Sequence, residues 1–311
     1  MSKYRHGLPQ LGPAVFLTDG GLETTLLFHD GVDLPYFAAF DLLKSDDGRA
    51  TLRRYFDRYS GIAKARGMGL VLETPTWRAN PDWGAKLGYD ASALAAVNRQ
   101  AIDLLLDVRR DHESAATPIV ISGNLGPRGD GYVAGKRMSA DEAADYHDPQ
   151  VATFAQTDAD MVAAFTMNYV EEAVGAVRAA QSHAMPVAIS FTVETDGRLP
   201  SGMPLAEAID ATDRATGGPA YYMINCAHPT HFERVVRDDA RLRERVRGLR
   251  ANASRRSHAE LDESADLDEG NPVELAAQYR ALRAHLPNLT IVGGCCGTDH
   301  RHVDAIGAAL V

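Results

Sequence analysis

Short apolar segments alternate with longer amphipathic stretches along the whole chain of 311 residues. Eight short segments are strand-like runs that end in polar or turn residues: 14–21, 69–75, 118–126, 160–167, 186–195, 221–229, 246–254 and 290–297. Eight stretches of helical period accompany them: 50–66, 91–113, 139–156, 170–182, 204–216, 230–244, 272–285 and 299–310. Helix-start signals support this division, because Ser139 has Glu142 three residues later, as in a capping box, and Pro272 lies just inside the seventh stretch.

The order of these segments predicts the fold class. The strand-like runs are too apolar for one face of the sheet to be exposed to solvent, which is typical of parallel strands covered by helices. Eight such units predict an α/β protein with a single (β/α)8 TIM-barrel domain over residues 1–311. A doubly wound open sheet is the competing fold, but no GxGxxG motif follows the first strand. The insertion-like loops 22–49 and 254–271 are expected on the face where barrel enzymes carry their active sites.

Composition narrows the classes of partner. Acidic residues outnumber basic ones by 42 to 32, which gives a formal net charge of −10. Such a charge disfavours binding to nucleic acid and to anionic membrane surfaces. No apolar run is long enough to cross a membrane, and the start MSKYRHGLPQLGP lacks the apolar stretch of a secretory signal. Three cysteines form no disulfide framework, so we expect a cytoplasmic protein, either a monomer or a small homo-oligomer.

The three cysteines are the strongest chemical signal. Cys226 ends the sixth strand-like run, and the adjacent Cys295 and Cys296 end the eighth. In a closed barrel these two strands are next-but-one neighbours, so all three thiols can meet at one point. Three thiolates with an open fourth position are typical of a catalytic zinc site. The alternative is that the cysteines are small buried apolar residues, but the glycines around the pair allow the chain to bend so that both sulfurs face one ion.

Four motifs carry a family resemblance. The stretches DGGLETTL (19–26), SFTVETDGRLPSGMPLAEAI (190–209), INCAHP (224–229) and GGCCGT (293–298) resemble the homocysteine S-methyltransferase family, zinc-dependent thiol methyltransferases on a (β/α)8 barrel. The resemblance implies that Cys226, Cys295 and Cys296 are the Zn²⁺ ligands. It also implies methyl transfer from a sulfonium or quaternary ammonium donor to a small-molecule thiol, with homocysteine giving methionine. S-methylmethionine and S-adenosylmethionine are the favoured donors, ahead of betaine-like compounds.

Polar and aromatic residues at other strand ends are candidate substrate contacts. In the family the DGG segment meets the amino-acid end of the thiol substrate, which implies a role for Asp19 and Gly20; the alternative is that the glycines only make a turn. Trp77 is expected either to face the methylated cation or to pack under a loop. The remaining candidates lie at the ends of the second, third and sixth strands: Glu73, Thr74, Asn124 and Asn225. The neighbouring histidines are not expected to be ligands: His228, His231, His300 and His302.

One position departs from the family pattern. Family members commonly carry a glutamate near the end of the fourth strand, associated with the ammonium group of the substrate, whereas this chain has Phe165 there. A buried ammonium without a carboxylate is costly. Either Asp19 or Glu73 takes over that role, or the thiol acceptor lacks an α-amino group.

Two other functions remain open from the sequence. The same metal is able to activate water in a zinc hydrolase, although hydrolytic sites favour histidine and carboxylate ligands over three thiolates. A redox or metal-storage role for the cysteines on an inert barrel is the non-enzymatic alternative.

Overall fold

The computed structural model describes residues 2–264 and 266–310. Its strands form a closed parallel barrel in chain order, which confirms the predicted (β/α)8 fold. The strands are β1 Phe16–Leu17, β2 Gly69–Glu73, β3 Ile119–Leu125, β4 Met161–Met167, β5 Val187–Phe191, β6 Tyr221–Asn225, β7 Val246–Ala251 and β8 Ile291–Gly294. All eight are shorter than the predicted runs, because the polar residues at the carboxyl ends of those runs leave the ladder and form the loops of the barrel mouth.

The helices surround the barrel. They are α1 Leu22–Thr24, α2 Asp46–Arg66, α3 Pro81–Lys86, α4 Ala91–His112, α5 Ala140–Ala155, α6 Val170–Ser182, α7 Leu205–Thr216, α8 Pro229–Asp238, α9 Ala240–Arg245, α10 His258–Asp262, α11 Pro272–Arg283 and α12 His300–Leu310. The capping box of Ser139 and Glu142 is present at the start of α5, and Pro272 is the first residue of α11.

Three local predictions need correction. The stretch 230–244 is not one helix, because Asp239 has extended backbone angles and its carboxylate accepts hydrogen bonds from the amides that begin α9. The expected loop 22–49 is not irregular: α1 runs into a π-helical turn at Thr25–His29, and 3-10 turns follow at Pro35–Phe37 and Ala39–Lys44. Buried apolar side chains such as Phe40 anchor these turns. Likewise, α10 lies within the predicted loop 254–271.

Apolar side chains fill both sides of the sheet. One cluster occupies the barrel interior and includes Phe16, Val120, Met161, Tyr221 and Met223, while a larger one lies between the strands and the helices. Successive strand residues alternate between the two clusters, as the two-residue period of a strand requires. Packing on both sides explains why the strands are apolar throughout, and it leaves only the strand ends for chemistry.

The amino-terminal segment is fastened to the barrel by one buried carboxylate. Asp160, immediately before β4, is completely buried. It accepts hydrogen bonds from the backbone amides of Lys3 and Tyr4 at 2.9 and 2.7 Å. It also accepts from the Ile121 amide at 2.9 Å and from Arg109 Nη1 at 2.7 Å. Asp160 therefore joins the start of the chain to α4, β3 and β4.

Across the two described stretches, no helix is both long and apolar enough to pass through a bilayer.

Candidate metal centre

Three sulfur atoms meet at the carboxyl end of the barrel. The Sγ atoms of Cys226, Cys295 and Cys296 all lie within 4.8 Å of one another. Cys226 follows β6 directly, and the pair follows β8. The structure therefore brings together the three thiols that the sequence places at these two strand ends.

Cys226 lies in a strained turn. Its φ of +54° is in the left-handed region, which a non-glycine residue rarely adopts. Two hydrogen bonds to the Cys226 backbone hold it there. Its N–H donates to Arg250 O at 3.1 Å, and its carbonyl accepts from the side-chain Nε2 of His258 at 2.7 Å. Such strain costs on the order of 1–3 kcal/mol and is typical of functional sites.

The turn after β8 needs its glycine. The backbone N–H of Cys295 donates to Ala251 O at 2.9 Å, and Cys296 O accepts from the backbone N–H of Ala253 at 3.0 Å. The two cysteines are therefore bonded to the end of β7 and to the loop that follows it. Gly297 follows with a φ of +77°, and a Cβ there would lie 2.6 Å from Asp268 O. Because this turn takes the two cysteines out of strand geometry, both of their sulfurs lie near Cys226 Sγ.

The electrostatics of the thiols suit a soft cation. Hydrogen bonds from Cys226 and Cys296 hold the pKa of Cys295 well below its ordinary value, and the charge of Arg250 acts in the same direction. By contrast, hydrogen bonds with Cys295 and Cys296 raise the pKa of Cys226. A partly buried thiolate beside two further sulfurs is a donor set that zinc prefers. The described residues contain one other group of three potential ligands, His29, Glu269 and Asp299, but Arg301 pairs with both of its carboxylates.

The histidines near the cysteines are engaged elsewhere. His231 Nε2 lies 3.0 Å from Arg255 O, and His302 Nε2 lies 2.8 Å from Glu269 O. His228 Nδ1 is 2.8 Å from Thr230 Oγ1. Neither these three nor His300 belongs to the group of three sulfurs.

Sequence reasoning missed two residues that cover the thiols. The hydroxyl of Tyr132, in the loop after β3, lies 3.2 Å from Cys296 Sγ. Its ring stacks on His258, with centroids 4.1 Å apart and an angle of 11°. His258 Nδ1 is in turn 3.1 Å from Glu194 Oε1. The only sequence signal was an aromatic residue in a glycine-rich loop at a strand end, which reads as an ordinary turn.

Asn225 connects several strand ends beside the thiols. Its Oδ1 accepts hydrogen bonds from the Thr166 amide at 3.0 Å and from Ser190 Oγ at 2.6 Å. Its Nδ2 donates to Thr166 Oγ1 at 2.9 Å and lies 4.0 Å from Cys295 Sγ. The amide is therefore fixed in orientation, with its donor group towards the sulfur.

Asp19 is committed to an internal ion pair. Arg250 Nη2 lies 2.5 Å from Asp19 Oδ1 and donates to Gly20 O at 3.0 Å. Tyr55 Oη is 3.0 Å from Asp19 Oδ2. Burial raises the pKa of Asp19, and the charge of Arg250 opposes that rise. At Gly20 a Cβ would lie 2.7 Å from Tyr59 Oη, so close packing alone requires glycine.

The ends of β2 and β3 carry unsatisfied polar atoms. Glu73 Oε2 and Asn124 Oδ1 are buried and have no hydrogen-bond partner among the described residues. Thr74 is used differently, because its hydroxyl accepts from the Asn124 amide at 2.8 Å and lies 2.6 Å from Thr76 Oγ1. Buried polar atoms without partners are rare in native proteins, and two at adjacent strand ends favour a binding role there.

The Glu73 carboxyl predicts a pH-dependent effect on stability. Burial raises its pKa from 4.5 to about 7. The folded protein therefore retains a proton that the unfolded chain has released, and stability from this group falls as the pH rises from about 4.5 to about 7. Relative to wild type, Glu73→Gln is expected to gain up to about 3 kcal/mol in free energy of unfolding between pH 4.5 and pH 8. Urea unfolding of both proteins across this range tests it; a constant difference would contradict the assignment.

Trp77 is packed rather than open. The guanidinium of Arg78 lies 4.1 Å from the ring centroid of Trp77, so a resident cation already covers the ring. A Cβ at Gly131 would lie 3.2 Å from Trp77 Cζ2, which shows how closely the loop after β3 approaches the indole. This arrangement corresponds to the packing alternative, in which Trp77 supports the loop that carries Tyr132.

Comparisons with known proteins identify the family and support the fold. The family model described as homocysteine S-methyltransferase matches residues 16–310. Among solved structures, the oxidized form of the homocysteine methyltransferase MmuM from Escherichia coli is similar, with 20% identity and a TM-score of 0.76 over 94% of this chain and 95% of that chain. The metallated form of the same enzyme gives 18% identity and a TM-score of 0.74 over 94% and 96%.

At these sequence identities, the structural similarity shows only that the fold is shared. The family model shows to which family the chain belongs. None of the curated proteins compared with the chain matches it. The match over residues 16–310 places the chain in the homocysteine S-methyltransferase family, whose members are methyltransferases.

Proposed function

We propose that Zn²⁺ bound by Cys226, Cys295 and Cys296 supports methyl transfer from a sulfonium or quaternary ammonium donor to the thiol of homocysteine or a close analogue. The observation that carries this proposal is the meeting of three sulfurs from two strand ends within 4.8 Å. Three thiolate ligands leave one tetrahedral position open, as in catalytic zinc sites.

Zinc at this position would supply an acceptor thiol that is deprotonated at neutral pH, whereas a free alkyl thiol, with a pKa of about 8.5, is mostly protonated. The chain's own residues supply the geometry. Asn225 fixes the ends of β4, β5 and β6 beside Cys295. Tyr132, from the loop after β3, lies 3.2 Å from Cys296 Sγ and stacks on His258, from the loop after β7, so these two residues fix one side of the site. Positioning of two reactants in this way contributes roughly 7–11 kcal/mol in favourable cases.

The donor is expected to be S-methylmethionine or S-adenosylmethionine, with betaine-like compounds less favoured. All three classes carry a positive charge on the atom that bears the methyl group. The chain's net charge of −10 favours approach of such cations over anionic donors.

A direct assay tests the proposal. The zinc-loaded protein is incubated with S-methylmethionine, S-adenosylmethionine or betaine, together with homocysteine or its des-amino analogue 4-mercaptobutanoate. Mass spectrometry then follows the methylated thiol. We expect a thioether product with at least one donor, and its loss when zinc is removed by chelation. Full activity of the zinc-free protein, or no methylation of either thiol by any donor, would contradict the proposed function.

A further inference from the structure

Arg78 is a buried cation that has no carboxylate in ion-pair contact among the described residues. Only 7% of the residue is exposed. Its guanidinium lies between two indole rings, 4.1 Å from the ring centroid of Trp77 and 3.7 Å from that of Trp83. Nη1 donates a hydrogen bond to Gly129 O at 3.0 Å, whereas the buried Nε has no hydrogen-bond partner within the described ranges. Buried charges are costly unless they are paired, so this guanidinium has bonding capacity left for a ligand.

Two acidic groups act on Arg78 from a distance. Burial lowers the pKa of Arg78 to about 10, and the charges of Asp130 and Glu23 oppose that shift without reversing it. Asp130 is engaged in its own turn, because its Oδ1 accepts hydrogen bonds from the backbone N–H groups of Tyr132 and Val133 at 2.7 and 3.1 Å. The guanidinium is therefore charged at neutral pH, and an incoming carboxylate in direct contact would stabilise it.

The position of Arg78 connects it with the reacting end of the site. Arg78 follows the end of β2, and its hydrogen bond to the loop after β3 joins it to the segment that carries Tyr132. The Tyr132 hydroxyl lies 3.2 Å from Cys296 Sγ. Arg250, a second buried arginine at the mouth, already pairs with Asp19 at 2.5 Å. Of these two cations, Arg78 is the one that is left for a substrate carboxylate.

We propose that Arg78 binds the carboxylate of the methyl donor, which restricts the donors to onium compounds that carry a carboxylate. A planar guanidinium binds a carboxylate through two parallel hydrogen bonds, and Nε, one atom of such a fork in Arg78, lacks a partner among the described residues. This inference rests on the proposed methyl transfer and adds the residue that recognises the donor.

The assignment to the donor follows from the geometry of the transfer. The acceptor sulfur forms a bond to the donor methyl carbon while the bond from that carbon to the onium atom breaks. The electron pair of that bond leaves with the donor as a neutral thioether or amine, and the thiol proton passes to solvent. Since the onium atom lies on the far side of the methyl carbon from the acceptor sulfur, the donor carboxylate lies outside the three cysteines. Arg78, which is connected to Cys296 through the loop of Tyr132, is placed for that outer position.

Two donors that differ in one group provide the test. Dimethylsulfonioacetate is (CH₃)₂S⁺–CH₂–COO⁻, and trimethylsulfonium has a methyl group in place of the carboxymethyl group. With homocysteine as the acceptor, we expect kcat/KM for dimethylsulfonioacetate to exceed that for trimethylsulfonium by at least about tenfold, because hydrogen bonds between charged groups are among the strongest in proteins. Equal values for the two donors would overturn the assignment while leaving methyl transfer intact. No product from any onium donor would instead contradict the proposed function.

The variant Arg78→Met tests whether the guanidinium is the cause of the preference. Methionine keeps an unbranched side chain between the two indoles but carries no charge. We expect Arg78→Met to lower the ratio of the two kcat/KM values by about tenfold or more, mainly through KM of dimethylsulfonioacetate. If Arg78 only packed against Trp77 and Trp83, its loss would slow both donors equally and leave the ratio unchanged, which would overturn the assignment.

Arg128→Met is the matched control. Arg128 also contacts an aromatic ring, that of Tyr146 at 5.0 Å, but it pairs with Asp82 and its side chain is 46% exposed. The donor ratio of Arg128→Met should equal that of the wild type. A pair of acceptors, homocysteine and 3-mercaptopropylamine, which lacks the carboxylate, identifies the substrate that is bound. If Arg78→Met changes the ratio for this pair and not for the donors, the guanidinium holds the acceptor and the assignment to the donor is wrong.

Tryptophan fluorescence gives a readout that does not depend on turnover. The chain contains two tryptophans, Trp77 and Trp83, and the guanidinium of Arg78 lies against both. We titrate the zinc-loaded protein with each donor in the absence of a thiol and follow the emission. The apparent affinity for dimethylsulfonioacetate should exceed that for trimethylsulfonium by at least about tenfold, and Arg78→Met should abolish this difference.

The fluorescence titration also separates the two proposals. Equal affinities of the wild-type protein for the two donors would overturn the role of Arg78, and this comparison stands even if circular dichroism shows that Arg78→Met does not fold. A preference for the carboxylate donor without methyl transfer to any thiol would support the carboxylate site and contradict only the proposed function.

Discussion

Replacement of Cys296 by serine is expected to lower methyl transfer by at least about 1000-fold and to reduce bound zinc well below one equivalent per chain. Serine keeps the size of the side chain but replaces a soft thiolate with a hydroxyl that zinc binds poorly. The remaining sulfurs, Cys226 and Cys295, leave an incomplete donor set. Metal analysis after dialysis, with the rate measured on the same sample, checks both parts of this prediction.

The control for this variant must change a residue away from the mouth, because all three cysteines of the chain lie in the cluster. Val273→Ser on α11 serves this purpose, since Val273 is 73% exposed. It should retain zinc and activity. A Cys296→Ser protein with a full equivalent of tightly bound zinc and an unchanged rate would exclude the three-sulfur centre.

The second large effect concerns stability. Asp160→Ala is expected to lower the free energy of unfolding by about 3–5 kcal/mol, because it leaves the Arg109 guanidinium buried without its partner. It also leaves the amides of Lys3, Tyr4 and Ile121 without their acceptor. Urea unfolding followed by circular dichroism measures the change.

Asp141→Ala provides the comparison for Asp160→Ala. Asp141 also pairs with an arginine, Arg178, but its side chain is 91% exposed, so its loss should cost less than about 1 kcal/mol. If the two variants lose the same stability, the Asp160 carboxylate does not fasten the amino-terminal segment as its hydrogen bonds indicate.

The fold was predictable because its strands are buried on both sides and its helices are amphipathic, so local pattern and global architecture agree. The prediction failed in two places: where a capping residue divides a helix, and where distant helices bury a residue of a loop. Asp239 divides a continuous amphipathic stretch because its carboxylate caps α9. The turns within 22–49 depend on apolar side chains such as Phe40, whose burial is set by distant helices rather than by local period.

The candidate site was predictable only in part, for a related reason. Cys226 and the Cys295–Cys296 pair are visible in the sequence because cysteine is rare in this chain and lies at strand ends. Arg250 is one of two arginines in the run VRGLRANAS, and nothing local shows that its partner is Asp19, near the start of the chain. Tyr132 reaches Cys296 through the conformation of a loop, and that conformation depends on tertiary packing.

The main-chain bonds from Cys226 to Arg250, from Cys295 to Ala251 and from Ala253 to Cys296 all end on one strand or the loop that continues it. This segment, which contains no cysteine, therefore sets the distances between the three sulfurs. Substitutions at residues 250–253 would change those distances without altering a sulfur atom. If the cluster binds a metal as proposed, its metal selectivity could thus be changed through β7 while the cysteines are kept.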